Sequence, residues 1–483
     1  MENKRSKTTN LKFNPLLTGL ICGLYPLIFY FSNNFPEINT WEHFGYFSLI
    51  FIGIPLVIFL LLSVAIKFIK PIEKYKWQIL FVTIIMTVAT LMSFAMYHTL
   101  KKKILLGILI LAAIAAWKWK AHYPKLLVLI LLMTALPIIK VGMHLIDHQH
   151  KLTWLELPDN VQEAKFVETP NVYLIQPDGY VGKDVMEEAP YSFDNPLYDW
   201  LEQEGFKRYD NFRSNYPASL TSNSSLLAMK QHQFGKTFTP KFEMPHAREV
   251  IAGNNSAIEV FKNNGYKNFF IVQDEYFQQS FPDLHYDYYN IRPDEIPYFS
   301  NGSMVKKVVL DDLKAAIDTV SFSGPRFYFV EKLLPHHVHF AASKEEERDS
   351  YIEKIKDVNQ WLEEAVGYIS EKDPEAIIII LADHGGWVGL NSYPEMFSTN
   401  DPQQIKSIYS SLAAIKWNGH LVEGMDSELT SSVNLFRLLF SVLSKNPEYL
   451  NYLEDNSSYN LQQGTFSKSV RAVIDDGGNV IAE

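Results

Sequence analysis

Hydrophobic positions fall into two rhythms along the chain. Before residue 147 they form long unbroken runs, and after it they come in short runs separated by mixed segments. Leu16 to Phe31, Tyr46 to Ile66 and Ile79 to Met96 each reach about 20 residues with their flanks, which is the length a bilayer core requires. Ile104 to Trp117 and Leu126 to Ile139 reach that length only with polar flanks, and Lys140 would have to snorkel. The pattern predicts about five transmembrane helices, or three spans and a shallow hairpin. Both arrangements put the two ends of this region on opposite sides of the membrane. A cleaved signal peptide does not fit, because further spans follow the first.

Basic residues set the expected orientation. Lys4, Arg5, Lys7 and Lys12 precede the first span and place it inside. The next loop carries Glu37 and Glu42 and no basic residue, which suits the outside. Lys67, Lys70, Lys74 and Lys76 return to the inside, as do Lys118, Lys120 and Lys125. Lys101 to Lys103 run against the rule. The C-terminal part is therefore expected outside the cytoplasm. The spans hold almost no ionisable residue except Lys140, which favours an anchor over a transport path. His144, Asp147, His148 and His150 follow the last run and read as a solvated linker rather than a metal cluster. The expected division is a membrane anchor over 1–146, a linker over 147–168 and a catalytic domain over 169–483.

Past residue 168 the short apolar runs have strand character. They are NVYLIQ from Asn171, NFFIVQ from Asn268, FYFVEKLL from Phe327, AIIIIL from Ala376 and SLAAIKW from Ser411. Helical spacing lies between them, clearest over Lys344 to Ser370. Strands alternating with helices predict an α/β domain with a doubly wound, mostly parallel sheet. Four strands end in Asp, Glu or His. Ligands in such sheets bind past the carboxyl ends of the strands, so these endings can converge on one rim.

The stretch EAIIIILADHGG, from Glu375 to Gly386, carries the strongest signal. Its β-branched run reads as a strand buried on both faces. Asp383 and His384 then offer an oxygen and an imidazole nitrogen from adjacent residues, and two glycines let the backbone turn away. Asp178 ends the first strand in Pro-Asp-Gly, which is a turn signature and equally a place for a ligand. Asn215 to Met229, NYPASLTSNSSLLAM, sets hydroxyls ahead of a helix, where anions bind but where a serine cap is also common. Leu333 to Phe340, LLPHHVHF, holds three histidines that can bind metal, bond an anion or give a proton to a leaving group.

Composition changes the picture in two places. The net charge is −10, which disfavours nucleic acid as a partner. Cys22 is the only cysteine, so no intrachain disulfide can form.

Together the opening strand, the hydroxyl turn, the PHH stretch and LADHGG resemble the alkaline phosphatase superfamily, in its membrane-anchored sulfatase-like branch. That branch includes lipoteichoic acid synthases and phosphoethanolamine transferases. The resemblance runs from about Pro170 to Ser444 and includes SSVNLFRLLFSVL. It implies that Asp178, Asp383 and His384 bind a divalent metal, zinc or manganese, together with the nucleophile. Counting back from a helix expected near Ser224 places that nucleophile at Ser219, with Thr221 as runner-up. His336 would contact the phosphate or the leaving group, or help bind a second metal. Glu331, a possible metal ligand, stands where many relatives carry histidine, which counts against a second metal. The turn lacks the Pro and Arg of the formylglycine motif, so no formylglycine is expected and phosphate esters fit better than sulfate esters. The expected function is phosphoryl-type transfer on envelope lipids or glycans at a bacterial cytoplasmic membrane. A tethered phosphatase, phosphodiesterase or sulfatase is the alternative, and an inactive envelope-assembly protein is an alternative of another class.

Overall fold

The computed structural model describes residues 13–149, 153–234, 244–300, 302–320, 322–338, 340, 343–463 and 468–481. They form two compact units, Met1–Gln149 and His150–Glu483. His339, one of the three histidines of LLPHHVHF, lies outside the described residues.

The first unit is a helical membrane domain. Its helical stretches long and apolar enough to cross a membrane are Pro15–Asn34, Trp41–Phe68, Lys76–Tyr97 and Lys102–Gln149. The first is opened by Asn14, whose side chain accepts from Leu17 N at 3.1 Å, and by proline at its first position. It packs tightly on the second: a Cβ on Gly23 would lie 2.0 Å from the Phe51 carbonyl oxygen. Small residues allow this approach where lipid supplies no hydrophobic drive. The fourth stretch is broken by a 3-10 turn at Lys120–His122, so it holds both of the shorter apolar runs. Beyond the break Tyr123 stacks on Trp77, and His144 stacks on Phe35. The chain after the turn therefore runs beside the first helix.

Two details differ from the sequence reading. Lys140 does not rely on snorkelling alone, because its ammonium donates to Asn33 Oδ1 at 2.8 Å. The helix also continues through Gln149, across residues that read as linker. Helix–helix packing explains this: His144 is covered by Phe35 and lies 3.2 Å from the Ser32 carbonyl.

In the second unit five strands run parallel: β1 (Val172–Pro177), β3 (Lys267–Ile271), β4 (Tyr288–Tyr289), β5 (Arg326–Lys332) and β6 (Ile377–Leu381). They are joined by β2 (Lys207–Arg208) and an antiparallel β7 (Ala413–Lys416). The order across the sheet is β2-β7-β6-β1-β5-β3-β4. β1 and β6 are buried throughout, as their unbroken apolar runs predict. One face is covered by the helix Lys344–Lys372 through Ile355, Val358, Leu362 and Val366. The other is covered by the helices Ser256–Asn263 and Leu435–Ser444, where Phe261 stacks on Phe327 at 4.3 Å and Phe436 and Phe440 pack beside it. Each such fully buried side chain contributes roughly 1.5–3 kcal/mol. Beyond Asn456 a hairpin of β8 (Ser458–Gln463) and β9 (Lys468–Ile474) closes the chain. Arg213 holds it through the carbonyls of Asn456, Asp475 and Asp476.

The two glycines after His384 serve space rather than an unusual backbone angle. A Cβ on Gly385 would meet the Ser407 carbonyl at 2.2 Å, and one on Gly386 would meet the Tyr351 ring at 2.4 Å. Tyr351 is buried, so it cannot yield. Gly386→Ala is expected to destabilise the C-terminal unit by about 1–3 kcal/mol through overpacking. Gly367, in the helix Lys344–Lys372, has nothing near the added methyl. Gly367→Ala should stabilise by roughly 0.5–1 kcal/mol, because glycine is costly inside a helix. Calorimetric unfolding of the two variants beside the parent checks both signs.

Candidate active site

The parallel strands bring their carboxyl ends to one rim. Asp178 follows β1, Asp383 and His384 follow β6, His336 follows β5, and Asp274 follows β3. The rim is tied together through the backbone. Asp178 N donates to the Lys332 carbonyl at 2.9 Å, and His336 N donates to the Asp178 carbonyl at 2.8 Å. Gly179 has a φ of +69° and meets the His336–His337 backbone at 3.0 Å from its would-be Cβ. A side chain there would be strained and would push the histidine loop away. Tyr351 fixes the same turn: its hydroxyl donates to the Gly179 carbonyl at 2.8 Å and accepts from Val181 N at 3.2 Å.

Ser219 is the first residue of the helix Ser219–Ala228. The helix begins five residues before the expected Ser224. Its serines, threonine and asparagine are weak helix formers, and burial of Leu220 to Ala228 overrides that preference. Ala218 precedes the helix and no side chain caps it. Its first N–H groups therefore keep their attraction for an anion. Ser222 Oγ donates to the Asp383 carbonyl at 2.6 Å and locks the helix to the end of β6.

Three atoms then meet with equal spacing. Ser219 Oγ lies 3.4 Å from Asp178 Oδ1 and 3.4 Å from His384 Nε2, and those two atoms are themselves 3.4 Å apart. Asp383 Oδ2 is 3.6 Å from the same Nε2. His384 Nδ1 sits 2.8 Å from the Gly385 carbonyl, which makes it the proton-bearing nitrogen. The Nε2 lone pair thus faces two carboxylates. Asp383 Oδ1 is already taken by Gly179 N and His384 N, at 3.1 and 3.0 Å. Asp178, Asp383 and His384 are all buried, and their ligand atoms lie within 4.8 Å of one another. Edges of this length belong to a tetrahedron whose centre lies about 2.1 Å from each corner, the bond length zinc makes to nitrogen and oxygen. The donor set fits a divalent metal ion.

The charges support the same reading. Burial raises the carboxyl of Asp383, with Asp178 adding to the effect. Burial would also raise Asp178, but the charge of His336 and its hydrogen bond outweigh it and hold that carboxyl below the usual range. His336 Nδ1 bonds Asp178 Oδ2 directly. Burial disfavours the charge on His336, yet Asp178 more than offsets this and moves its ring above the ordinary value. His337 goes the other way, down to about 3, through burial and the neighbouring His336. It stacks on Trp387 at 4.1 Å, and His384 packs on the same indole. The open side of the site is a cavity of about 450 Å³ lined by Asp178, Ser219, His336, His384 and Trp387, and also by Asp274 and Glu331.

Two sequence candidates lie outside this cluster. Thr221 is buried, and its hydroxyl donates back to the Ala218 carbonyl at 2.9 Å. Glu331 lies in the cavity wall, but among the described residues it joins no trio at metal-ligand spacing. Tyr351, Trp387 and His232 were not legible as site residues, because their motifs are a charged helix, a glycine-rich loop and a polar turn. His232 Nε2 donates to the Thr221 carbonyl at 2.8 Å, its Nδ1 accepts from Phe234 N at 2.8 Å, and its ring stacks on Tyr216.

The Sulfatase family profile matches residues 181–444, more than half of the chain. The chain belongs to the sulfatase family. It is an enzyme of the sulfatase-like, alkaline-phosphatase-superfamily kind, carried on a membrane domain. Among curated proteins none matches this sulfatase-family sequence. Solved structures do resemble it. The C-terminal periplasmic domain of EcEptC from Escherichia coli is 12% identical, covers 63% of this chain and 93% of its own, and has a TM-score of 0.44. The integral membrane lipooligosaccharide phosphoethanolamine transferase A of Neisseria meningitidis is 11% identical over 89% of this chain and 96% of its own, with a TM-score of 0.42. The periplasmic domain of phosphoethanolamine transferase EptC from Campylobacter jejuni is 15% identical over 59% and 94%, with a TM-score of 0.41.

His232, bonded to the Thr221 carbonyl in the helix Ser219–Ala228, gives this sulfatase-family enzyme a pH dependence. Burial lowers its pKa to about 3. The unfolded chain therefore binds a proton near pH 6.5 that the folded chain refuses. Stability is complete above that pH and falls as pH drops toward 3, at about 1.4 kcal/mol per unit for this group. Chemical denaturation between pH 4 and 7 should show a slope shallower by that amount in His232→Gln than in the parent.

Proposed function

We propose that this chain is a metal-dependent phosphoryl-type transferase acting on envelope lipids or glycans through Ser219. The observation that carries the reading is the Ser219 hydroxyl, which stands at an uncapped helix N-terminus and 3.4 Å from both Asp178 and His384. Asp178, Asp383 and His384 would hold one divalent ion, zinc or manganese, with Ser219 as the fourth ligand. When bound, that ion supplies positive charge beside the serine oxygen and the phosphoryl oxygens.

Ser219 gives up its hydroxyl proton to water, its Oγ attacks phosphorus in line to form a phosphoryl-serine, and the bond from phosphorus to the ester alcohol breaks. The free N–H groups of the helix start bind the equatorial oxygens and favour the charge that develops there. His336 holds a proton through its pairing with Asp178 and gives it to the departing alkoxide. A second alcohol, from a glycan or lipid, then takes the phosphoryl group and frees Ser219. Two features favour phosphate over sulfate: the turn Ser219-Leu220-Thr221-Ser222-Asn223 lacks the formylglycine pattern, and serine itself can serve as nucleophile. The membrane domain favours transfer, since it keeps the enzyme where lipid head groups are concentrated. The proposed location is the bacterial cytoplasmic membrane, with the catalytic unit outside the cytoplasm.

Ser219→Ala is expected to lower turnover of a phosphodiester substrate by at least about a thousandfold, as removal of a catalytic hydroxyl does. Thr221→Val should keep turnover within a factor of about 3, because its hydroxyl serves only the local backbone. Steady-state rates with the metal-loaded protein check both. Loss of activity in the threonine variant alone would move the nucleophile.

A further inference from the structure

The end of the membrane domain at which the helix Tyr123–Gln149 begins is strongly basic. Residues 67–76 hold four lysines and residues 118–125 hold three, with Glu73 as the one acid in the two stretches. The first stretch joins the helical stretches Trp41–Phe68 and Lys76–Tyr97, and the second contains the break inside Lys102–Gln149. The proposed chemistry uses none of these lysines. A bias of basic residues toward one side of a membrane is the general rule for spanning helices. That rule bears on how many lysines lie on a side and asks nothing of how they are arranged.

The fold brings the two stretches together. Trp77 and Tyr123 stack with ring centroids 5.4 Å apart and planes 16° from parallel. Lys76 Nζ lies 5.4 Å from the centre of the Trp77 ring. Lys120 arrives from the other stretch: with its amide oriented to satisfy both groups, Gln78 donates to the Tyr75 carbonyl at 3.2 Å and accepts from Lys120 Nζ at 2.9 Å. Gln78 is neutral, so the charge of Lys120 is not cancelled. Lys76 and Lys120 are half-buried, whereas Lys67, Lys70, Lys74, Lys118 and Lys125 are exposed. A single carboxylate can balance only one of the seven lysines. Around the cluster Tyr75, Trp117 and Trp119 are exposed, and such rings sit at the level of lipid head groups. Ile114 and Leu111, about one and two turns before Trp117, are exposed as well, on a helix face where acyl chains lie.

We propose that Lys76 and Lys120, beside the Trp77–Tyr123 pair, form a binding site for an anionic phospholipid of the bilayer. Ammonium groups from the two stretches would converge on one phosphate, whose oxygens accept several charge-assisted N–H bonds. A lipid suits the place better than a soluble anion, because the lysines border exposed apolar faces that would hold its acyl chains. A zwitterionic lipid suits it less, because its own cation would meet the surrounding lysines. Basic pockets between spanning helices hold anionic head groups in this way. The head group would tie the start of the helix Lys76–Tyr97 to the turn Lys120–His122. In the orientation proposed above, this end faces the cytoplasmic leaflet, on the side away from catalysis. The lipid held here is therefore a bound component of the membrane domain and not a substrate.

The test is lipid binding to the full-length protein in detergent, followed by native mass spectrometry, with dioleoylphosphatidylglycerol and, separately, dioleoylphosphatidylcholine. The site predicts that the first phosphatidylglycerol binds about fivefold or more tighter than phosphatidylcholine. In Lys76→Gln/Lys120→Gln the two affinities should come within about twofold of each other. Lys102→Gln/Lys103→Gln makes the same charge change at the other end of the helix Lys102–Trp119 and should keep the parent's preference. No preference in the parent, or one that survives Lys76→Gln/Lys120→Gln, overturns the site. An equal loss in both variants also overturns it, by making binding a matter of total charge. Should Lys76→Gln/Lys120→Gln not fold, a phosphatidylglycerol with a photoreactive head group decides on the parent. Labels on peptides from residues 67–78 or 117–125 support the site, and labels confined to other peptides overturn it.

Discussion

The arrangement that everything else serves is a set of acceptors turned toward one another. Asp178 Oδ1, Asp383 Oδ2 and the lone pair of His384 Nε2 share one buried point, with the Ser219 hydroxyl completing it. Carboxylates buried beside an imidazole lone pair repel, and the protein puts no lysine or arginine between them among its described residues. A cation at the centre turns that repulsion into attraction. The surrounding structure is what keeps the atoms from moving apart. Gly179 N and His384 N hold one Asp383 oxygen, the Gly385 carbonyl fixes the tautomer of His384, and His336 holds the other oxygen of Asp178. His336 and Trp387 adopt left-handed backbone angles of 61° and 62°, which a non-glycine residue tolerates only where the neighbourhood enforces it.

The fold positions these atoms by simple means. Parallel pairing of β6, β1 and β5 sends three strand ends to one rim. The helix Ser219–Ala228 is packed so that its N-terminus meets that rim, and Ser222 fastens it to the Asp383 carbonyl. Close approach of Gly385 and Gly386 to Ser407 and Tyr351 allows the chain to leave β6 without covering the site. Sheet, helix start and glycine turn therefore act together, and loss of any one would separate the serine from its partners.

Much of this was legible in the sequence, for identifiable reasons. A strand buried on both faces must be apolar throughout, so NVYLIQ and AIIIIL stood out, and acids or histidines at their ends were conspicuous. Two-residue strands such as β2 and β4 carry too little pattern to be seen. The start of the helix Ser219–Ala228 was hidden because a run of Ser, Thr and Asn signals a cap rather than a helix interior. Tyr351 was invisible as a support because its hydrogen bond to Gly179 crosses 172 residues, and His232 because its bond to the Thr221 carbonyl depends on how the polar turn folds. Asp274 and Glu275, after NFFIVQ, could be read as strand-end acids, whereas Glu331 lies inside the run FYFVEKLL. That Glu275 is hydrogen-bonded through both oxygens and Glu331 Oε2 has no partner is a property of the packed structure alone.

The central claim is that Ser219 becomes covalently bonded to phosphorus during turnover. Mass analysis of peptides from the metal-loaded protein, acid-quenched while turning over a phosphodiester, tests it directly. The account predicts a phosphoryl adduct, with its head group, on the peptide containing Ser219 and assigned to that serine by fragmentation. An adduct on Thr221, or none under conditions of active turnover, would contradict it.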